Sequence, residues 1–372
     1  MEEWRLIDSG DLDPLMAQNF WEALAVAVDR GLSPNTVHLC RPSSYAVIVG
    51  YNQNLEKDVD LEFCRQNGIP VYRRIQGGGA MYHGPGELWY QFAFKHTSAI
   101  PKDLRQAFER ILSATSIYVY KKLGLNVQYK PINDVVVFPS QKKIGACAAA
   151  TVGDTWLFGG NLIMDLDFDR MVRIVKVPDE KFRDKLAKSI REWVTTLKLE
   201  LGETPPLNKL KELLVEGISQ TLGVKLKPSK PTKEELEIWE NEVKPKHLSE
   251  EWLFPKRFKR LRPTEPGKVV KIAHKVRFAE VVYKAEKLVR VRAEVSGNIL
   301  SDVEISGDFF MVPQEAVIEL EQRLRGAKLD RESLTKLIEE FYREKGVYVI
   351  GINTNDLVEA LVKVGYLAQS LP

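Results

Sequence analysis

Arg73-Arg74-Ile75-Gln76-Gly77-Gly78-Gly79-Ala80-Met81-Tyr82-His83 is the stretch on which the reading of this chain turns. Three consecutive glycines are entropically costly to order, so a folded protein keeps them where its backbone takes unusual dihedrals or comes close to a ligand. Pro70 to Ile75 reads as a short buried strand ahead of the loop. Glu87 to Lys95 reads as a second strand after it, with Leu88, Tyr90, Phe92 and Phe94 on one face. A loop with a strand on either side is neither a Walker loop nor a Rossmann fingerprint, both of which open a helix. What remains is a run of N–H groups able to cradle an anion, with two arginines just upstream and His83 and Gly86 just downstream. An acyl phosphate or a nucleotide phosphate suits such a nest. The alternative is a glycine-rich hairpin turn with solvated arginines.

Outward from the loop, Pro14 to Gly31 carries Leu15, Phe20, Leu24 and Val28 at helical spacing, and Ala46 to Tyr51 reads as a buried strand. Asp60 to Asn67 reads as a helical turn ending on Gly68. Asp103 to Leu123 predicts a helix, Asn133 to Phe138 a strand, and Lys143 to Val152 with Leu157 to Leu166 a hairpin around Gly153-Asp154. Helical patterns return at Pro178 to Trp193 and Leu207 to Leu222. Six prolines and dense charge between Val224 and Val269 mark a connector, ordered in part by Trp239, Trp252 and Phe254. Beyond Gly267, four strands around a Gly297-Asn298 turn precede helices from Pro313 and Asp330, the segregation of a small α+β domain. The fold class is therefore α/β (α+β), a mixed-sheet body followed by a smaller α+β domain. Its divisions are residues 1–227, a Pro-rich charged connector at 228–262, and 263–372.

A length of 372 residues leads one to expect two or three domains, and 44% hydrophobic with 28% charged residues is the composition of a globular protein. No apolar run approaches the ~20 residues a membrane span requires. Fifty-four basic against 51 acidic residues leave a net charge of +3, too even for a protein whose main partner is nucleic acid. Cys40, Cys64 and Cys147 are too few and too scattered for a disulfide framework or a zinc site. With an acidic N-terminus unlike a secretory signal, they point to the cytoplasm. A monomer is expected.

Further motifs narrow the reading. Asn133-Asp134, Lys143-Ile144-Gly145, Gly160-Asn161-Leu162 with Asp165 and Asp167, and Val175-Lys176-Val177-Pro178-Asp179-Glu180-Lys181-Phe182 follow the glycine loop in order. With Lys188-Ser189, Arg191 and Val194-Thr195-Thr196-Leu197, they resemble the lipoate-protein ligase family across nearly the whole N-terminal body. Ser296-Gly297-Asn298-Ile299 and Ile305-Ser306-Gly307-Asp308-Phe309-Phe310 look like that family's accessory domain. The resemblance implies a biotin/lipoate-ligase-like catalytic domain. It also implies an enzyme that activates lipoate with ATP to lipoyl-adenylate, with Mg2+ at the phosphates, and passes the acyl group to a lysine. The implied acceptors are lipoyl domains of 2-oxoacid dehydrogenase complexes and the glycine-cleavage H protein. By the same resemblance Lys143 is catalytic, bridging acyl carbonyl and phosphate. Gly77, Gly78 and Gly79 contact the phosphate, and Arg73 with His83 meets its charge or the lipoyl end. Arg74, Ala80, Met81, Asn133, Asp134, Ala148 and Gly160 complete the adenylate site, with Asp134 the metal ligand. Strand-end capping is the competing role for Asp134.

Several positions depart from the pattern. Phe158-Gly159 replaces the family's histidines, and Cys147 stands where Asn or Ser is usual. Cys147 beside Lys143 also admits an octanoyl- or lipoyl-transferase that uses a thiolate without ATP. A non-enzymatic lipoate or adenylate sensor is a further alternative. The run Lys256-Arg257-Phe258-Lys259-Arg260-Leu261-Arg262 could stack on a base, lie solvated, or dock acidic lipoyl domains.

Overall fold

The computed structural model describes residues 1–95, 97–176, 183–258, 261, 266–273 and 276–370. Thus residues 177–182, the expected starting turn of the Pro178 helix with its motif, lie outside the described residues, as do Lys259, Arg260, Arg262 and Pro263. The described chain forms two compact units. One comprises Met1–Val49, Glu56–Arg74 and Ala80–Ser249, the other Gly50–Leu55, Ile75–Gly79 and Glu250–Pro372.

The strands of the first unit, in chain order, are β1 (Glu2–Leu12), β2 (Thr36–Pro42), β3 (Ala46–Val49), β4 (Val71–Arg73), β5 (Met81–His83), β6 (Glu87–Phe94), β7 (Val127–Lys130), β8 (Asp134–Val137), β9 (Lys142–Val152), β10 (Thr155–Ile163) and β11 (Val224–Ser229). Eight of them form a mixed sheet ordered β11-β1-β2-β6-β10-β9-β8-β7, parallel at β11-β1-β2 and antiparallel beyond. The other three make a small sheet ordered β4-β3-β5 that delivers Arg73 and His83. Helix α1 (Pro14–Asp29), capped by the Asp13 side chain, lies on one face of the large sheet and is buried along most of its length. The helices Leu104–Ala114, Ser116–Lys122 and Leu207–Leu222 cover the other face. The expected single helix from Asp103 breaks at Thr115, whose φ of −122° and ψ of −102° are not helical.

Residues 228–249, expected as connector, are ordered secondary structure. β11 adds to the sheet edge, and a capping box between Thr232 and Glu235 starts the helix Lys233–Ile238. A π-helical turn, Trp239–Val243, and the helix Lys244–Leu248 follow. These elements cover the outer side of α1, where Trp239 meets Phe20 edge-on at 6.0 Å between ring centroids. Aromatic anchors, rather than the prolines, decide this stretch.

In the second unit, β12 (Val269–Ala273), β13 (Val276–Lys284), β14 (Leu288–Ser296) and β15 (Ile299–Gly307) form an antiparallel sheet in that order. Its hairpin turns on Gly297 at a φ of +61°. Val289, Val291, Val303 and Ile305 pack against Val317 and Leu320 of the helix Ala316–Leu324, and against Leu357 and Leu361 of Thr354–Gln369. The opposite face buries Glu280, Arg290, Arg292 and Glu304. This mixed α/β body with a separate small sheet is the expected fold class. Among the described residues no helix is long and apolar enough to cross a membrane.

Candidate active site

The geometry around Lys143 depends on one irregularity. Along β9, Ala146 and Ala148 point to one side and Gly145 and Cys147 to the other, and by simple alternation Lys143 would join Cys147. A bulge between β8 and β9 breaks that count: Val135 faces Gly145, but Val136 already faces Lys143. Lys143 is thereby turned to the side of Ala146, which pairs with Asp134. There its Nζ lies 2.7 Å from Asp134 Oδ1, both side chains about a quarter exposed. A second strand-like contact fixes the lysine's backbone: Lys143 bridges Val194, and Thr195 N–H donates to the Lys143 carbonyl at 2.8 Å. The expected Val194-Thr195-Thr196-Leu197 motif is thus placed directly beside the lysine.

Asn133 is buried and locked to β9. Its Nδ2 donates to the Cys147 carbonyl at 2.7 Å, and its own carbonyl accepts from Cys147 N–H at 2.9 Å. Its Oδ1 is buried with no hydrogen-bond partner among the described residues, an open acceptor at the strand's entrance. Ala148 is half-buried opposite Gly159. Gly160 lies opposite Cys147, on the other side, where a Cβ would stand 2.4 Å from the Tyr90 hydroxyl. Phe158 is fully buried and crosses Phe108 edge-on. The family's histidine position is therefore occupied here by core.

Cys147 faces the helix Ser116–Lys122, is 2% exposed, and burial pushes its thiol well above the ordinary range. The expectation of a thiol activated by Lys143 fails twice, because the two side chains are on opposite faces and the thiolate has no solvent or cation to stabilise it.

Strand β6 contributes a group that sequence reading missed. Alternation put Leu88, Tyr90, Phe92 and Phe94 inside and implied solvent for Glu87 and Trp89, whereas every residue from Glu87 to Phe94 is buried. Glu87 accepts hydrogen bonds from Trp89 Nε1 at 2.9 Å and Asn161 Nδ2 at 3.0 Å, and pairs with His83 Nδ1 at 2.6 Å. His83 is held in one orientation by a buried carboxylate. The nearest sequence signal was Glu87 itself, a charge within an apolar strand. Arg73 and Arg74 are both buried, not solvated as the hairpin alternative requires. Arg74 donates to the Ile48 carbonyl at 3.3 Å, and burial lowers its guanidinium to about 10, still charged at neutral pH. Ala80 and Met81 are half-buried where β5 begins.

Gly77, Gly78 and Gly79 belong to the second unit. A Cβ on Gly77 would stand 2.6 Å from the Phe309 carbonyl, and Gly78 has a φ of +92°, so both positions demand glycine. Gly78 N–H donates to that same carbonyl at 3.4 Å, so this loop donor is used internally. Beside them Gln76 is fully buried, with neither amide atom hydrogen-bonded among the described residues.

No group of three potential metal-ligating side chains occurs among the described residues. Asp134 is a single hard oxygen donor already paired with Lys143, which suits a Mg2+ ion that arrives with its own phosphate ligands rather than an all-protein cage. In the basic run, Arg257 is buried on Glu321 at 2.7 Å and Phe258 is buried too. Of the described members of this run, Arg257 and Phe258 are thus turned inward and Lys256 is exposed, while Lys259, Arg260 and Arg262 lie outside the described residues.

In the first unit, buried arginines and an ion-paired, part-exposed lysine on a mixed α/β sheet are the groups of an enzyme that handles an anionic ligand. Residues 13–219 match the family described as the lipoyl protein ligase A/B catalytic domain, and residues 288–361 match the bacterial lipoate protein ligase C-terminus. The chain belongs to the lipoate-protein ligase family. It is 31% identical over 215 residues to lipoate-protein ligase A subunit 1 of Thermoplasma acidophilum, covering 56% of this chain and 80% of that one. Lipoate–protein ligase 1 of Staphylococcus aureus is 27% identical, covering 82% of this chain and 84% of its own. Octanoyltransferase LipM of Kyrpidia tusciae is 25% identical, covering 69% of this chain and all of its own. Among solved structures, the bipartite lipoate protein ligase described with its E2 lipoyl domain from T. acidophilum has a TM-score of 0.61 at 28% identity, covering 71% of this chain and 99% of that one. Lipoate-protein ligase A bound with ATP has a TM-score of 0.57 at 25% identity, covering 68% and 98%.

Proposed function

We propose that the protein is an ATP-dependent lipoate-protein ligase that makes lipoyl-adenylate and transfers the lipoyl group to a lysine of a lipoyl domain or a glycine-cleavage H protein. The observation that carries this reading is the Lys143–Asp134 pair on the accessible side of β9, with Cys147 buried on the other. In adenylation a lipoate carboxylate oxygen attacks the α-phosphorus and pyrophosphate leaves, so negative charge gathers around the phosphate. In transfer, the acceptor amine attacks the acyl carbonyl and AMP leaves. Both steps need a fixed cation more than a nucleophile. Lys143 supplies it, and Asp134 keeps that ammonium aimed. Arg73, Arg74 and His83 add positive or hydrogen-bonding character at the small sheet. Asn133, Ala80, Met81 and Ala148 border the adenylate, whereas Gly160, on the Cys147 side, packs against Tyr90 instead. Gly77, Gly78 and Gly79 turn their N–H groups to the phosphate when the nucleotide displaces the Gly78–Phe309 bond. Asp134 would be the protein ligand of a Mg2+ that would neutralise the triphosphate when bound.

The ATP-free transferase reading has one point in its favour, the likeness to LipM proteins. Those relatives are matched in full by 69% of this chain or slightly less, whereas the accessory-domain match at residues 288–361 is to a ligase part. Mass spectrometry of a lipoyl domain incubated with the protein, competing acids and ATP decides between them. The expected result is a single lipoyl adduct that requires ATP and persists with Cys147→Ala; an octanoyl adduct formed without ATP and lost in that variant would replace the ligase reading.

A further inference from the structure

Residues 233–248 fall outside both family matches, which end at residue 219 and resume at 288. Yet they are strapped to the catalytic unit by polar pairs. Glu235, fully buried, is ion-paired with Arg5 and accepts from Ser33 Oγ at 2.7 Å. Glu242 forms a two-point pair with Arg30, both contacts 2.6 Å. The last anchor differs in kind. His247, with no exposed side-chain surface, places Nε2 2.7 Å from Glu22 Oε2 and Nδ1 2.9 Å from the backbone carbonyl of Arg73.

A carbonyl can only accept, so Nδ1 must donate to Arg73. Nε2 then faces a carboxylate, and the bond needs a proton on one side or the other. Burial alone raises the Glu22 carboxyl, but the His247 hydrogen bond with the charges of His247 and Lys246 more than offsets it, holding Glu22 below the usual carboxylate range. The imidazole is thus held at both nitrogens, Nδ1 on the Arg73 carbonyl and Nε2 on the Glu22 carboxylate. One end is braced on α1, and the other grips the last residue of β4, from which the chain runs through Arg74 directly into Ile75-Gln76-Gly77.

We propose that His247 is a positioning residue for nucleotide activation: the strap uses it to fix the Arg73 backbone, and with it the entry to the glycine loop. The inference rests on the adenylating function proposed above and deepens it by extending the working parts of the site into a segment neither family match includes. Glu22 on α1 is the charged group paired with His247, and Lys246 on the same helix as His247 shares that carboxylate.

Two substitutions separate the two ends of the imidazole. His247→Asn can keep a donor where Nδ1 stands and drops the Glu22 contact; His247→Gln can keep a donor toward Glu22 and drops the Arg73 carbonyl. If the role is positioning, lipoate-dependent ATP–pyrophosphate exchange falls at least about tenfold in kcat for His247→Gln, within the range that a 1 Å misplacement costs. His247→Asn keeps most of the exchange while losing more thermal stability, because Glu22 is left buried with only Lys246. Loss of exchange that simply follows loss of stability, or the reverse order of the two variants, overturns the proposal. Amide hydrogen exchange of residues 74–79 reads the same order without turnover, loosened in the Gln variant and protected in the Asn variant. A wild type without pyrophosphate exchange would defeat the ligase reading while leaving that second measurement to decide the role of His247.

Discussion

Both units bury arginines and carboxylates on one face of a sheet, but the two faces are built for opposite ends. In the second unit Arg292 donates to Glu304 at 2.7 Å and to the carbonyls of Phe258 and Leu261 at 3.2 and 3.0 Å, and Glu304 is fully buried. Its charges are consumed by architecture. In the first unit, Lys143 and Asp134 are equally close to one another yet keep about a quarter of their surface. Distance is the same; access is not. An ion pair whose partners stay reachable can exchange one of them for a substrate, whereas a sealed pair only specifies how its own unit packs.

The comparison can be broken at its strongest point. Lys143→Ala is expected to abolish lipoyl-adenylate synthesis, a fall of at least about 10²–10³-fold, with the circular dichroism spectrum and melting point unchanged; retained synthesis would shift the role to Lys142. Asp134→Asn should lower adenylation about tenfold, since the lysine keeps its charge and loses its aim, as steady-state kinetics at saturating ATP would show. In the sealed face the expected effect is on stability. Burial raises Glu304 to about 7 from an ordinary 4.5, so the folded state holds a proton that the unfolded state releases. Stability is fully present below pH 4.5 and falls as pH rises through 7, by a few kcal/mol at most at about 1.4 kcal/mol per unit. Glu304→Gln should flatten that fall in denaturant titrations between pH 5 and 8, and an unchanged slope would assign the effect elsewhere. Smallest of all, Cys147→Ala is expected to leave transfer within twofold and cost about 1 kcal/mol of unfolding free energy for the lost buried volume, measured by urea melts beside the transfer assay.

Much of this was readable in the chain because it is local. Three glycines, a lysine among small residues and the Gly297 hairpin announce themselves within a few positions. Strand β6 was placed by its alternation, but that alternation hid Glu87, because a central strand covered on both faces has no solvent side for a charge to mark. β1 was missed: the acidic N-terminus was weighed only against a secretory signal, while Trp4 and Ile7 are buried between β11 and β2. The proline-rich stretch misled for the reverse reason. Composition suggested a linker, but Trp239, Glu235 and His247 each find a partner about 200 residues away or more, and no window of sequence contains such a pair. The thiol at Cys147, kept as the rival reading, is the most instructive case. Nearness in sequence suggested nearness to Lys143, and only the pairing register shows that the two look away from each other.

That register has an evolutionary corollary. Lys143 and Cys147 share one strand, and which of them meets a substrate depends on a single residue's worth of backbone at Ile144. Giving Ile144 a ladder partner, by one residue inserted between Val135 and Val136, would restore plain alternation and move the ammonium to the thiol's side, without altering either side chain. The hairpin therefore carries its chemical identity as a count of peptide units. Within such a lineage, a one-residue insertion or deletion can matter more to the reaction than any substitution, and relatives are best compared at this point by ladder register rather than by letters.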